Sequence, residues 1–300
     1  MTRVVHRFLA LLLALAGLAA AADEPPLSSR VAGGDSVYVI WPGDTLGGIG
    51  ARFGVDYRLL ARQNGIVDEN RIHAGRQLRI HNPHIVPAGM DDGILINIPQ
   101  RMLFLFRRGE PVAAYPVGLG RPDWPTPAGE FRIVAQETHK SWVVPKSIQE
   151  EMRRERKIMR QEVAAGPDNP LGAHWLGLSL WGYGIHGTIA PSSVYGFRSH
   201  GCIRMHPDDV AELYDKVELG TRGRLVDQPL LMALAEGGRI LLEAHPDIYA
   251  RGLDPARLAH AMAEAHGLDQ AIDWPLAEAV AAAQEGVAVE VGRLAQQGVK

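Results

Sequence analysis

The sequence is almost without cysteine, since Cys202 is the only one in 300 residues. A single cysteine cannot form an intramolecular disulfide, which excludes a disulfide-stapled scaffold. A free thiol is also exposed to oxidation if the protein is exported. For an exported chain, chemistry therefore explains the retained thiol better than packing does, and the residues around Cys202 become the first candidates for a functional site.

Long hydrophobic runs are also scarce. Phe8–Leu18 has about 11 residues, whereas a membrane-spanning helix needs about 20. This run follows Arg3 and Arg7 and precedes the three alanines at 20–22. The pattern is typical of a secretory signal. Residues 1–22 are therefore predicted to be a cleaved signal peptide, the mature form to have no transmembrane segment, and the protein to act in the periplasm or cell envelope. A retained N-terminal anchor is the alternative.

Neither sign of charge dominates the chain. It has 31 Lys and Arg against 34 Asp and Glu, for a formal net charge of -3. Removal of the predicted leader makes the charge more negative still, because that segment carries only basic side chains. This balance argues against nucleic acid or an anionic membrane as a partner. The length allows about two domains.

The sequence around Cys202 contains the groups that nucleophilic catalysis needs. Residues 185–188 read IHGT and residues 199–205 read SHGCIRM. A thiol becomes nucleophilic when an imidazole or backbone amides favour its thiolate. His186 could take the thiol proton and return it to a leaving amine. The glycine before Cys202 allows close approach of a substrate, and the Cys202 amide could stabilise an oxyanion.

Together these two segments closely resemble the signature of the L,D-transpeptidase (YkuD-type) catalytic domain, whose members act on bacterial peptidoglycan. The resemblance implies that Cys202 is the nucleophile and His186 the general base, with the Gly187 carbonyl holding the imidazole. It implies no metal and no cofactor. The residues that it places around the oxyanion and the substrate are Gly187, Ser199, His200, Gly201 and, for substrate binding, Arg204.

An upstream segment, residues 37–81, resembles a LysM module. Such modules are βααβ units that bind glycans containing N-acetylglucosamine. The matching features include a Gly-Asp-Thr-Leu turn at 43–46 and Phe53-Gly54. The resemblance implies glycan contacts from Gly43, Asp44, Thr45 and Asn64. Several glycines lower the helix propensity of 46–53, so we expect a short or frayed helix there. The alternative is a module that serves only as a spacer, and residues 23–36 are predicted to be a linker.

Residues 92–228 are predicted to form a mainly β catalytic domain, the β-sandwich type that the resemblance implies. Short apolar segments separated by turn residues support the strands. Residues 138–173 are predicted to be an insertion with a charged helix over 150–163, either a lid over the cleft or a solvated face. Residues 229–300 are predicted to be a helical C-terminal extension, with helix starts at Asp254-Pro255 and Asp273-Trp274-Pro275.

The leading functional hypothesis is a peptidoglycan L,D-transpeptidase. Cys202 would attack the third residue of a tetrapeptide stem, release the terminal D-alanine and pass the acyl group to an amine. That amine would belong to another stem peptide or to a lysine of an envelope lipoprotein. With water as acceptor, the same residues would make an L,D-carboxypeptidase or amidase. The other hypotheses are a non-catalytic peptidoglycan-binding protein and a zinc site built from His186, His200, Cys202 and His206, whose spacing does not match paired zinc ligands.

Overall fold

The computed structural model describes residues 27–295. The predicted signal peptide lies outside these residues. Between residues 27 and 295, no helix is both long and apolar enough to cross a membrane.

The first part of the described chain is a βααβ unit flanked by two short strands. Its elements are β1 (Val31–Ala32), β2 (Asp35–Val39), α1 (Leu46–Phe53), α2 (Tyr57–Gln63), β3 (Gln77–His81) and β4 (His84–Ile85). β2 and β3 pair antiparallel, and both helices pack on them around buried leucine and isoleucine side chains. Thr45 caps α1 by accepting a hydrogen bond from Gly48 N at 3.0 Å.

Helix α1 is short, as its glycines predict, and at least one of those glycines is required by packing. The helix has eight residues and ends at Gly54, which has a positive φ of 67°. A Cβ on Gly50 would lie 2.4 Å from the carbonyl oxygen of Val55. The low helix propensity of this segment is therefore the cost of bringing two backbone segments together.

The described part of the predicted linker is built into the fold. β1 pairs antiparallel with β4. Ser28 N donates to Met232 O at 3.2 Å, and Leu234 N donates to Ser28 O at 2.9 Å. Residues 27–36 therefore tie the beginning of the described chain to its C-terminal part.

The central domain is a mixed nine-stranded sheet that folds back on itself. Its strands are β5 (Gly93–Asn97), β6 (Met102–Arg107), β7 (Glu110–Gly120), β8 (Gly129–Thr138), β11 (His174–Leu178), β12 (Gly184–His186), β13 (Phe197–Ser199), β14 (Ile203–Met205) and β15 (Arg222–Val226), in the spatial order β13-β7-β14-β12-β11-β8-β15-β5-β6. The long strand β7 pairs with β6 through its first half and with β14 through its second half. Inward-facing residues of both halves form one apolar core, so the mainly β prediction is confirmed.

The insertion between β8 and β11 contains β9 (Trp142–Val143), α3 (Lys146–Arg154) and β10 (Glu162–Val163). The prediction of one helix over 150–163 is wrong at both ends. The chain leaves the helical conformation at Arg156, where φ is 56°. Val163 returns to pack against Val144 and Ile148. A small apolar cluster therefore decides the conformation of this segment, and most of its charged residues stay exposed.

The C-terminal part contains the two expected helices and a sheet that the sequence analysis did not anticipate. After α4 (Pro207–Lys216) and β15 come β16 (Leu230–Ala235), β17 (Arg239–Ala244), α5 (Pro255–Ala265), α6 (Trp274–Ala283) and β18 (Val289–Arg293). Asp254 and Asp273 cap α5 and α6 as predicted. β16, β17 and β18 form an antiparallel sheet, with both helices packed on one face.

A buried ionic cluster joins three parts of the molecule. The Glu243 carboxylate, on β17, is fully buried. It accepts hydrogen bonds from His84 Nδ1 at 2.9 Å, His245 Nε2 at 2.9 Å and Gln100 Nε2 at 3.0 Å. His84 Nε2 lies 2.9 Å from Gly54 O, at the end of α1. Both ring nitrogens of His84 therefore face acceptors, the Glu243 carboxylate on one side and the Gly54 carbonyl on the other.

The LysM-like unit is docked on the central domain. Ala51 of α1 lies in one buried apolar cluster with Val194 and Tyr195, which belong to the segment between His186 and Cys202. Arg52, also on α1, lies 3.2 Å from His206 Nε2 just after Cys202. The unit therefore contacts the chain on both sides of the candidate nucleophile.

Candidate functional site

Strand pairing brings Cys202 and His186 to one face of the sheet. β12 runs parallel to β14, with Ile185 opposite Ile203 and His186 opposite Arg204. Side chains alternate between the faces of a strand. The two isoleucines point into the core, where both are fully buried, so His186, Arg204 and Cys202 share the other face.

The His186 imidazole is buried and neutral at pH 7. Its side chain is buried at 4% exposure and stacks on Trp175 with ring centroids 5.7 Å apart. Nδ1 donates to Gly187 O at 2.6 Å, because a carbonyl can only accept. The hydrogen therefore sits on Nδ1 and leaves Nε2 as the acceptor. Burial, and then the positive charge of Arg204, lower the pKa of His186 to about 4.

The Cys202 thiol is partly covered and protonated at neutral pH. Its Sγ lies 3.8 Å from Gly182 O and donates to it weakly. Burial raises the pKa of the thiol, while the backbone of Gly184 and the charge of Arg204 act in the opposite direction. A thiol of this kind needs a base to become a nucleophile, and the arrangement supplies an imidazole on the same face of the sheet.

The loop before Cys202 has a fixed conformation. Gly201 has a positive φ of 101°, and a Cβ there would lie 2.7 Å from the Tyr183 ring. Ser199 Oγ accepts from Gly201 N at 3.1 Å and donates to Cys202 O at 2.5 Å. Ser199 thus closes the tight turn that carries the thiol.

His200 connects this loop to the insertion. His200 Nε2 donates to Glu151 Oε2 at 2.5 Å, and the His200 ring packs edge-on against Trp124 at 4.9 Å. Glu151 lies on α3, is nearly buried and also pairs with Arg121. Hydrogen bonds from Arg121 and His200 lower the pKa of the Glu151 carboxyl. The insertion is therefore hydrogen-bonded to His200, two positions before Cys202.

Two further residues of the site escaped the sequence analysis. Glu151 is one of many charges in its segment, and nothing in its spacing sets it apart. Thr126 belongs to a Pro-rich turn at 125–129, whose local sequence says nothing about a distant partner. The structure buries Thr126 and places its Oγ1 2.8 Å from Gly201 O, as donor. Only the long-range fold brings these side chains to the loop.

The side chains predicted for glycan contact are largely engaged within their own module. Asp44 accepts from Tyr38 Oη at 2.8 Å and from Trp41 N at 2.7 Å. The Asn64 side chain bonds to the backbone of Leu60 and Arg79. These hydrogen bonds hold the loops of the module in place. Trp41, two residues before Gly43, remains exposed at 65%.

The residues considered for zinc have other partners. His200 bonds to Glu151, and His206 caps α4 by accepting from Asp208 N at 3.3 Å. Among the described residues, no group of three or more His, Cys, Asp or Glu is arranged to hold a metal ion.

Comparisons with known proteins agree with these two units. Residues 91–226 match the L,D-transpeptidase catalytic domain (YkuD), and residues 38–81 match the LysM domain. The chain is 30% identical to a protein of Escherichia coli K12 with an L,D-transpeptidase name, YcfS, over 74% of this chain and 71% of that one. It is 34% identical to one of Bacillus licheniformis, YkuD, over 62% and 96%.

A solved L,D-transpeptidase from Mycobacterium smegmatis aligns at a TM-score of 0.37 and 18% identity, over 67% of this chain and 98% of that chain. The 30% identity to YcfS over 71% of its length and the 34% identity to YkuD over 96% of its length show the family. The chain belongs to the L,D-transpeptidases with a YkuD-type catalytic domain, and it carries a LysM domain ahead of that domain.

Proposed function

We propose that the protein is a cell-envelope transpeptidase that uses Cys202 to cross-link peptidoglycan stem peptides. The shared face of His186, Arg204 and Cys202 on paired strands carries the proposal. On this face a base, a cation and a thiol can act on the same substrate. The predicted signal peptide at 1–22 supports export to the periplasm.

In the first step His186 Nε2 takes the thiol proton, and Sγ attacks the carbonyl carbon of the third stem residue. The amide bond to the terminal D-alanine breaks, a thioester forms, and the proton passes from His186 to the leaving amine. The amide of Cys202 stabilises the oxyanion, and Arg204 binds a substrate carboxylate. All of these groups are side chains or backbone of the chain itself.

In the second step an amine attacks the thioester, an amide bond forms and the thiol is restored. The amine must outcompete water at about 55 M, so it has to be bound and oriented, an effect that can contribute about 7–11 kcal/mol. A second stem peptide is the proposed acceptor, and a lysine of an envelope lipoprotein would react in the same way. With water as acceptor the protein would be an L,D-carboxypeptidase.

The test is product mass spectrometry with a disaccharide-tetrapeptide, with and without a stem-peptide amine. Loss of D-alanine together with an adduct of the amine supports the transpeptidase. Loss of D-alanine without an adduct would make the protein a carboxypeptidase. No product from the wild-type protein would leave a wall-binding protein that does not catalyse this reaction.

The acylation rate should persist to unusually low pH. An imidazole accepts a proton only while it is neutral, and the pKa of His186 is about 4. Lowering the pH from 7 to 5 therefore leaves the base competent, and the rate falls only as the pH passes about 4. An unperturbed histidine would already be half protonated near pH 6.5. Intact-mass acylation rates between pH 3.5 and 8, with circular dichroism as a control for folding, would refute this if the midpoint lies near 6.5.

The LysM domain is proposed to hold the glycan strand through the exposed face around Trp41. Trp41→Ala is expected to weaken co-sedimentation with purified sacculi about tenfold, because a large exposed aromatic is a common anchor of binding surfaces. Turnover of a small muropeptide should stay within about twofold. Leu219→Ala removes an equally exposed apolar side chain from the catalytic domain and serves as the control. Equal sedimentation of the Trp41 variant and the control would count against this binding face.

A further inference from the structure

A residue outside the matched catalytic segment reaches the loop that carries Cys202. Tyr249 follows β17 in the C-terminal part, beyond residue 226 where the family match ends. Its hydroxyl donates to Gly120 O at 2.8 Å and accepts from Thr126 N at 3.0 Å. Gly120 ends β7 and Thr126 lies in the turn that follows it toward β8, so the C-terminal part fixes this turn directly.

Thr126 passes this constraint to the loop of the thiol. Its Oγ1 accepts from Gly120 N at 2.9 Å and donates to Gly201 O at 2.8 Å. The side chain is only 1% exposed, so water does not compete for these bonds. A Cβ on Gly120 would lie 2.2 Å from Trp124 O, which shows how tightly the turn is closed.

Gly201 O and the amide of Cys202 belong to one planar peptide unit. A hydrogen bond that fixes the direction of Gly201 O therefore also fixes the direction of the Cys202 N–H. That N–H is the donor proposed for the oxyanion. The stabilisation of the oxyanion depends on the direction in which the N–H bond points. The chain of hydrogen bonds thus begins at Tyr249 and ends at a group that would contact the reacting carbonyl.

The Tyr249 ring supports the same loop from a second direction. It packs edge-on against Phe197 with ring centroids 5.9 Å apart. Phe197 lies on β13, between His186 and Cys202. Burial raises the pKa of Tyr249, so the hydroxyl keeps its hydrogen and remains a donor to Gly120 O.

We propose that Tyr249 is a positioning residue of the transpeptidase site, which aims the Cys202 amide through Thr126 and Gly201. The inference rests on the proposed role of Cys202. It gives the C-terminal extension a part in catalysis, beyond that of a packing partner for the catalytic domain.

The test compares Tyr249→Phe, which keeps the ring and loses the hydroxyl, with Tyr214→Phe as the control. Tyr214 lies on α4 of the catalytic domain, and its ring packs at a tilt against His174 with centroids 5.1 Å apart. Tyr249→Phe is expected to lower kcat about tenfold with KM changed less than about twofold. Hydrogen exchange of the amides at 199–204 should become faster. Thr126→Val should show the same pattern, and the double variant should lose no more than either single variant.

Unchanged kcat and unchanged exchange at 199–204 in Tyr249→Phe would overturn the proposal. Additive losses in the double variant would also overturn it, because they would mean that the two residues act independently. If the wild-type protein releases no D-alanine, the proposed function fails. The exchange data, together with the rate of Cys202 alkylation by iodoacetamide, then still decide whether Tyr249 controls the loop.

Discussion

Replacing Cys202 with alanine is expected to abolish release of D-alanine from a tetrapeptide stem, with a loss on the order of 10⁴-fold or more. The thiol is the only one in the chain, so no other side chain can form the thioester. Binding should survive, because the alanine leaves Ser199, Gly201 and Arg204 in place. Product mass spectrometry measures the turnover, and co-sedimentation with sacculi measures the binding.

Intact mass after incubation with a carbapenem gives an independent reading. The wild-type protein should gain one adduct on Cys202, and the alanine variant none. Arg198→Ala, an exposed change in the same segment, should retain the adduct and so control for a general disturbance of the loop. Turnover by the alanine variant at more than a hundredth of the wild-type rate would mean that another group is the nucleophile.

Replacing Glu243 with alanine is expected to lower the free energy of unfolding by about 3–5 kcal/mol. The change removes a buried carboxylate and leaves His84, Gln100 and His245 without their shared acceptor. Burial alone would raise the pKa of Glu243, but His84 and His245 outweigh it and lower the pKa to about 2. The carboxylate is therefore charged in the folded protein throughout the usual pH range. Urea unfolding followed by circular dichroism measures the loss.

Glu290→Ala is the matched control for this change. Glu290 pairs with Arg293 at 2.7 Å on the surface, and such pairs contribute less than about 1 kcal/mol. The two variants therefore separate a buried carboxylate from an exposed one. Similar unfolding midpoints for Glu243→Ala and the wild type would show that the cluster does not hold the three parts together.

The sequence was informative where local pattern decides structure. The SHGCIRM segment identified the thiol loop, and short apolar runs located the strands of the central sheet. Asp254 and Asp273 marked helix starts because capping depends on neighbouring residues alone. These features need no knowledge of distant parts of the chain, and the structure agrees with them.

The sequence was misleading where burial on both sides removes the pattern. In β16, Leu230 and Met232 face the C-terminal helices while Leu231 and Ala233 face β4. A strand buried on both faces reads as a continuous apolar run, which periodicity cannot tell from a helix. This is why the two helices of the extension were predicted and its sheet was missed.

The remaining features depend on contacts between residues far apart in sequence. Glu151 meets His200, Thr126 meets Gly201, and Glu243 meets His84. Glu151, Thr126 and Glu243 are common residue types, and the sequence around each of them does not indicate its role. The predicted helix over 150–163 failed because its charges give no sign that Val163 pairs with Trp142 and packs against Val144.

The docking of α1 on the segment between His186 and Cys202 has a consequence for how the enzyme would sample the wall. A binding module on a flexible tether presents its ligand to a catalytic centre at an effective concentration set by tether length. Here Ala51 packs against Val194 and Tyr195, so the offset between a held sugar and the thiol is constant. The protein would then react with stem peptides at one fixed distance from the bound sugar, instead of with every stem peptide within reach.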